Sequence, residues 1–389
     1  MKPLVYFQLL DSSLRYLAVH AKNHSVADWG EIVFDTNILA ERQIANRALL
    51  ETRLDALVRE KKWRGAKAHV LIMDDFVVIK EETVPQQLKP DEIRSYLSLQ
   101  MNSTIRIPFE KPVFEFELLE QRENETKLVL VAYPGEFIEE YKKILLSARL
   151  KPEVADVSSL SLYRLADEQG LISKDKGGHN LILQLDPYSM NMSMFNQDQP
   201  TFTRDSYSDV VAEMWAQSKN GEWQWKYSDS EKDMILNEQF DELDRFLSFY
   251  SNSFLRDSDQ ISQFILTGSY PHLDEARNML TQRFNLEPQL LTLPQDLAQS
   301  YATLYGLSLK KKSKPQKREK TPKQPKDKKL KKEKNPKKEK KPKKDMNPEI
   351  NKNPGIDRNP GADKNPGIDK NPETDKRPEI KVQEGVAND

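Results

Sequence analysis

Along residues 1–309 the apolar positions switch repeatedly between strand and helix spacing. Residues 4–10 form an apolar run of strand length, and residues 14–19 read as the returning strand of a hairpin. Between residues 44 and 62, Leu49, Leu50, Leu54, Leu57 and Val58 recur at helical spacing. Residues 68–73 and 76–79 predict two strands around Asp74 and Asp75. Pro90-Asp91-Glu92 opens a helix to about Met101, with proline in its first turn. Residues 113–119 and 127–133 predict two further strands. Residues 136–148 predict an amphipathic helix carrying Phe137, Tyr141, Ile144, Leu145 and Ala148 on one face.

After the loop signal at residues 174–178 the pattern restarts. Residues 180–185 and 189–195 predict a second hairpin. A long helix over residues 231–254 turns Phe240, Leu243, Leu247, Tyr250 and Phe254 inward, and residues 264–266 predict a buried strand. Gly268-Ser269-Tyr270-Pro271 then leads into a helix ending at Phe284. Two halves that each open with a hairpin and close with helices predict a duplicated α/β fold. The expected division is residues 1–175, with an inserted subdomain at about 80–135, followed by residues 176–309.

The pattern stops near Leu309, where Lys, Pro, Asn, Asp and Glu replace the aromatic and branched residues. Such a segment buries too little apolar surface to offset its ordering entropy, so disorder is expected. Residues 310–345 carry 20 Lys and Arg against 5 acidic residues, and residues 346–389 carry 7 against 9. With a net charge of −1 for the whole chain, residues 1–309 are left at −14. An acidic body argues against nucleic acid lying on the folded part. The last stretch repeats a six-residue Asn-Pro unit from Asn347 to Lys376, whose prolines disfavour helix and ladder alike.

The absence of cysteine excludes disulfides, thiolate zinc sites and a thiol nucleophile, and fits a reducing compartment. The apolar run at residues 3–7 is too short for a signal peptide core. No run approaches the ~18 apolar residues of a membrane span. His20, His24, His69, His179 and His272 show no metal-ligand spacing, and neither a Gly-x-Ser-x-Gly elbow nor a Gly-Lys-Ser/Thr phosphate loop is present. Trp215, Trp223 and Trp225 around Lys219-Asn220-Gly221 read as packing residues that cap a smaller subdomain of the second half, or else as a sticky contact.

The order of motifs resembles the PilM family of type IV pilus assembly proteins, actin-like and related in fold to FtsA. The resemblance rests on residues 69–80 before Val84-Pro85, on residues 96–108 with Ile107-Pro108-Phe109, and on residues 128–132 with the helix to Ala148. It continues through residues 150–157, Leu160-Ser161-Leu162, residues 243–250, Tyr301-Ala302 and residues 306–309. It implies a two-domain actin-like α/β fold with nucleotide between the halves. In such folds glycines bring hairpin turns close to phosphates, and carboxylates orient Mg²⁺ and the attacking water.

This chain departs from that pattern at both phosphate loops. Gln8 and Leu10 stand where the resemblance expects Asp and Gly, followed by Asp11, Ser12 and Ser13. In the second loop Gln184 replaces the Asp and Asp186 takes the Gly position. Only Gly268 of the expected glycine pair remains, with Ser269 beside it. A degenerate pocket, no enzymatic activity and no resident cofactor are therefore expected. Weak ATP or Mg²⁺ binding through Ser12, Ser13 and the helix after Gly268 stays open. Asp11 and Asp186 read either as shifted carboxylates of a nucleotide-dependent, FtsA-like switch or as solvated turn residues.

The resemblance further implies a cytoplasmic scaffold, peripheral to the inner membrane, that clamps the N-terminal peptide of a PilN-like bitopic protein. Its groove is expected near residues 92–112, around Tyr96, Ile107, Pro108 and Phe109, although Ile107, Phe109, Phe114 and Phe116 also read as core. The basic segment suits an anionic leaflet at ~1 kcal/mol per basic residue, non-specific phosphate contact or a solvated spacer. No aromatic interleaves its lysines for base stacking, so no specific nucleic acid is expected. Self-association is left open.

Overall fold

The computed structural model describes residues 2–40, 43–101 and 103–310. The Asn-Pro repeat and all of the basic segment beyond Lys310 lie outside the described residues.

The first half is built on a meander. Strands β1 (Leu4–Leu9), β2 (Ser13–Val19) and β3 (Val26–Val33) are antiparallel, with Leu9 opposite Leu14 and Ser13 opposite Val33. A two-residue hairpin, β4 (Leu39–Ala40) and β5 (Gln43–Ile44), leads to helix α1 (Arg47–Glu60). Asn46 caps α1 by accepting the Leu49 N–H at 3.2 Å. Strand β6 (Lys67–Ile72) then runs parallel to β1.

An excursion follows: β7 (Val78–Pro85), α2 (Pro90–Gln100), β8 (Pro112–Gln121), β9 (Glu125–Pro134) and α3 (Gly135–Ser147). Its strands form a separate sheet in the order β7-β9-β8. The chain returns as β10 (Lys151–Val157), parallel to β6, completing the sheet β10-β6-β1-β2-β3.

Helix α4 (Ser158–Glu168) joins the halves. The second meander is β11 (Gly178–Asp186), β12 (Ser189–Asn196) and β13 (Gln199–Tyr207). Short helix α5 (Asp209–Glu213) precedes a ribbon of β14 (Trp215–Gln217) and β15 (Trp223–Trp225). After α6 (Asp229–Phe254) come β16 (Gln260–Thr267), α7 (Leu273–Phe284), β17 (Gln289–Leu290) and α8 (Ala302–Ser308). The second sheet, β13-β12-β11-β16-β17, repeats the first: an antiparallel meander and then two parallel strands. The topology thus carries the duplication expected from the two hydrophobic patterns.

Both sheets are covered on both faces, so their central strands are apolar at successive positions. In β1, Val5, Phe7 and Leu9 pack in the core of α1 and α3, while Tyr6 packs with Leu304 and Leu307 of α8. In β11, Leu181, Leu183 and Leu185 pack with Phe240 and Leu243 of α6, while Ile182 packs with Leu162 and Leu165 of α4. Helices α4 and α8 therefore fill the space between the sheets.

Several elements differ from expectation. Strands β3 and β13, each the outer strand of its meander, are too polar for the hydrophobic pattern to reveal. Phe76 belongs to a single helical turn, Asp74–Phe76, and the following strand reaches Pro85. On α6 Phe246 is fully buried beside Phe240 and Tyr250, whereas Phe254 is 42% exposed and stacks on Tyr250 and Phe202. The helix outlasts the core beneath it, so its last turn leaves the buried face.

Candidate functional site

The ends of β1 and β11 meet the turn after β16 around a small cavity of about 100 Å³. Gln8, Asp11, Asp74, Gln184, Asp186 and Ser269 line it. The first turn closes with the Leu10 N–H donating to the Ser13 carbonyl at 2.9 Å. The Asp11 carbonyl accepts the N–H groups of Ile38 (2.7 Å) and Leu39 (3.2 Å), fixing the turn against the next loop. Gln8 is buried, and its carboxamide oxygen accepts the Thr303 hydroxyl of α8 at 3.1 Å. An amide here is acceptor and donor without charge, so it satisfies a hydroxyl where a carboxylate would bring an uncompensated ion.

The second turn is closed by its own acid. Asp186 accepts the Ser269 N–H at 2.7 Å and the Ser269 hydroxyl at 2.5 Å. Its other oxygen takes the Gln184 amide N–H at 2.7 Å. Gly268 makes this approach feasible: its φ is +131°, and a Cβ would lie 1.9 Å from the Leu185 carbonyl oxygen. An internal carboxylate therefore occupies the donors that a loop of this kind offers to an anion. Among the described residues Gln184 Oε1 is buried without a hydrogen-bond partner.

The serines of the first turn are also engaged. The Ser12 hydroxyl donates to Gln217 Oε1 at 3.3 Å, and the Ser13 hydroxyl to Glu31 Oε1 at 2.5 Å. Burial first, and then the charge of Asp11, push the Tyr188 phenol far above its ordinary range. The Asp186 carboxylate is thus turned back onto the chain, while Asp11 is half-buried at the cavity.

Sequence reasoning noted Asp74 only as a break between strands. The structure makes it the cap of α4: its carboxylate accepts the N–H groups of Ser158 (2.9 Å) and Ser159 (3.1 Å) and the Ser159 hydroxyl (2.7 Å). Burial raises its pKa, opposed by those hydrogen bonds. The capped helix lies 84 residues downstream, so no local signal could have found the pairing. Asp75 and Asp205 add to the acidic lining. Among the described residues no group of three His, Asp or Glu is arranged to hold a metal ion.

A larger cavity of about 670 Å³ lies alongside, between Arg15 and Glu31 of the first sheet, the β14–β15 ribbon, and the loops at Gly268 and Tyr301. Trp215, at the root of the ribbon, is buried against Trp225 and Tyr270. Trp223 and Trp225 pack partly buried on the same core, in line with their reading as packing residues.

Tyr96, Ile107 and Phe109 gather with helix α2 against the three-stranded sheet. Ile107 is buried with Ile93, Leu97, Leu128 and Leu130; Tyr96 and Phe109 pack at the margin, together with Phe114 and Phe116. Pro108 is exposed. Strand β8 forms one edge of this sheet, with Val113 and Leu118 exposed. Arg94 lies over the rings of Phe114 and Phe116 and donates to the Phe114 carbonyl at 2.9 Å, blunting that edge.

A family model described as "Type IV pilus assembly protein PilM" matches residues 12–302. Among solved structures, the PilM-PilN type IV pilus biogenesis complex superposes with a TM-score of 0.61 at 16% identity, covering 79% of this chain and 97% of that chain. A Bacteroides thetaiotaomicron protein with an actin-like ATPase fold and unknown function matches with a TM-score of 0.42 at 11% identity, covering 78% of this chain and 95% of that chain. The cytoplasmic domain of EpsL, from the Vibrio cholerae type II secretion system, matches with a TM-score of 0.39 at 10% identity, over 79% of this chain and 96% of that chain. No curated protein matches the sequence. The expected actin-like α/β fold is thereby borne out. No helix among the described residues is long and apolar enough to cross a membrane.

Proposed function

Because the chain belongs to the PilM family of type IV pilus assembly proteins, we propose that it serves pilus assembly as a scaffold that neither hydrolyses nor requires nucleotide. The carrying observation is the Asp186 carboxylate seated on the Ser269 N–H, where a phosphate oxygen would have to displace a covalently tethered anion. Gln8 and Gln184 supply no charge for a metal-bound water, and about 100 Å³ between the turns falls short of the ~300–1,000 Å³ typical of ligand pockets.

In this reading the working surface is the excursion sheet. The similar solved structure is a complex with PilN; here, by extension, Tyr96, Ile107, Pro108 and Phe109 border a groove for the extended cytoplasmic N-terminus of a PilN-like bitopic inner-membrane protein. That partner holds a cytoplasmic body at the membrane, and the basic segment adds attraction to anionic lipid. The 670 Å³ cavity is the observation favouring the alternative, a nucleotide-dependent switch.

Isothermal titration decides between them. The scaffold reading expects no Mg-ATP binding tighter than ~100 μM, and saturable binding of a synthetic peptide from the partner's N-terminus. Tight Mg-ATP binding with steady phosphate release overturns it. For the groove, Tyr96→Ala and Phe109→Ala should weaken the peptide about tenfold each; undiminished binding by both variants moves the groove elsewhere.

A further inference from the structure

The β14–β15 ribbon is rooted in the second half, yet its polar groups bond the first. Gln217 Nε2 donates to Glu31 Oε1 at 2.9 Å and to the Gly221 carbonyl at 3.2 Å, while its Oε1 accepts from Ser12 at 3.3 Å. Glu31 is itself buried beside Arg15, which contacts it through Nε and Nη2, both at 2.9 Å. Arg15 also donates to the Ser300 carbonyl at 2.8 Å and lies over the Tyr301 ring. At the ribbon's tip Gly221 has φ +85°, and a Cβ there would come within 3.3 Å of Glu31 Oε2; glycine is what lets the turn close over the acid.

On the opposite flank Tyr188 of the second half and Asp11 of the first both line the small cavity, and the Tyr188 ring packs edge-on against Trp223 of the ribbon at 5.4 Å. The bonds among Ser12, Arg15, Glu31 and Gln217 are partly buried and partly charge-assisted, the class in which loss of one partner is costly.

We propose that the ribbon is a strap that holds the two halves closed through Gln217, Glu31 and Ser12, making closure a property of the chain instead of a bound ligand. The proposal rests on the nucleotide-independent reading above. The strap replaces the charge that a nucleotide would supply with a neutralised Arg15–Glu31 pair and a neutral amide. The closed state is then the ground state, and the excursion sheet is presented on a body of constant shape.

Hydrogen-exchange mass spectrometry on the full chain tests this. Gln217→Met keeps the side-chain length and removes its bonds. It should speed exchange roughly tenfold in residues 10–13, 28–33 and 299–301, beyond the ribbon itself, while residues 181–185 stay protected. Ser12→Ala removes only the 3.3 Å bond and should give a smaller change in the same segments, which preserves the test if the first variant does not fold. Changes confined to residues 214–226, or none in either variant, overturn the strap. Mg-ATP added to the wild type is a separate arm: protection of these segments by nucleotide overturns the nucleotide-independent reading whatever the variants show.

Discussion

Replacing Asp186 separates a tethered anion from an incidental turn acid. Asp186→Ala leaves the Ser269 N–H and the Gln184 amide N–H without their acceptor, and the Ser269 hydroxyl with them. Hydrogen bonds to a charged group contribute about 1.5–3 kcal/mol each. The three share one carboxylate at a partly exposed site, so water recovers part of the loss; about 2–4 kcal/mol is expected. Asp186→Asn should cost under about 1 kcal/mol: its oxygen still accepts from Ser269, and Gln184 can rotate its amide so that the partnerless Oε1 takes the new N–H. Urea unfolding followed by tryptophan fluorescence reads both, since Trp223 lines the same cavity. An Asp186→Ala unfolding free energy within about 0.5 kcal/mol of wild type, or equal damage from the two variants, would overturn the tethered-anion account.

Other outcomes follow from the same structure. Burial lowers the pKa of His179, which the nearby Asp259 only partly offsets, and its Nδ1 meets the Tyr250 hydroxyl at 2.7 Å. The unfolded chain therefore binds the extra proton more readily, so stability falls as pH drops below about 6.5; His179→Gln should flatten that acid limb in urea titrations across pH. Gly268→Ala should lose roughly 2–4 kcal/mol by the same measurement, because neither its φ nor the Leu185 carbonyl admits a Cβ. Arg94→Ala uncovers the Phe114 carbonyl on the β8 edge and should raise self-association in sedimentation velocity without altering the far-UV circular dichroism.

The strands that form the centre of each sheet were legible because they are buried on both faces: residues 4–10 and 180–185 read as apolar without regard to context. The outer strands β3 and β13 were not, since an edge strand needs only half its residues apolar and borrows its order from the ladder beside it. Helix α6 showed where its core face began, while Phe254 could be placed only once the sheet beneath it had an end.

At the site, residue type was visible and pairing was not. That Gln8, Leu10, Gln184 and Asp186 stand where the resemblance leads one to expect other residues is a matter of residue type at given positions, readable without coordinates. Many of the partners at the site lie far away in sequence: Thr303 for Gln8, Ser269 for Asp186, Ser158 for Asp74 and Glu31 for Gln217. Local periodicity reports which face of an element meets apolar surroundings, because burial acts residue by residue. Hydrogen bonds between side chains need a distance and an angle set by whole layers, so only tertiary structure decides whether an acid at a turn meets solvent, a ligand or the chain's own backbone.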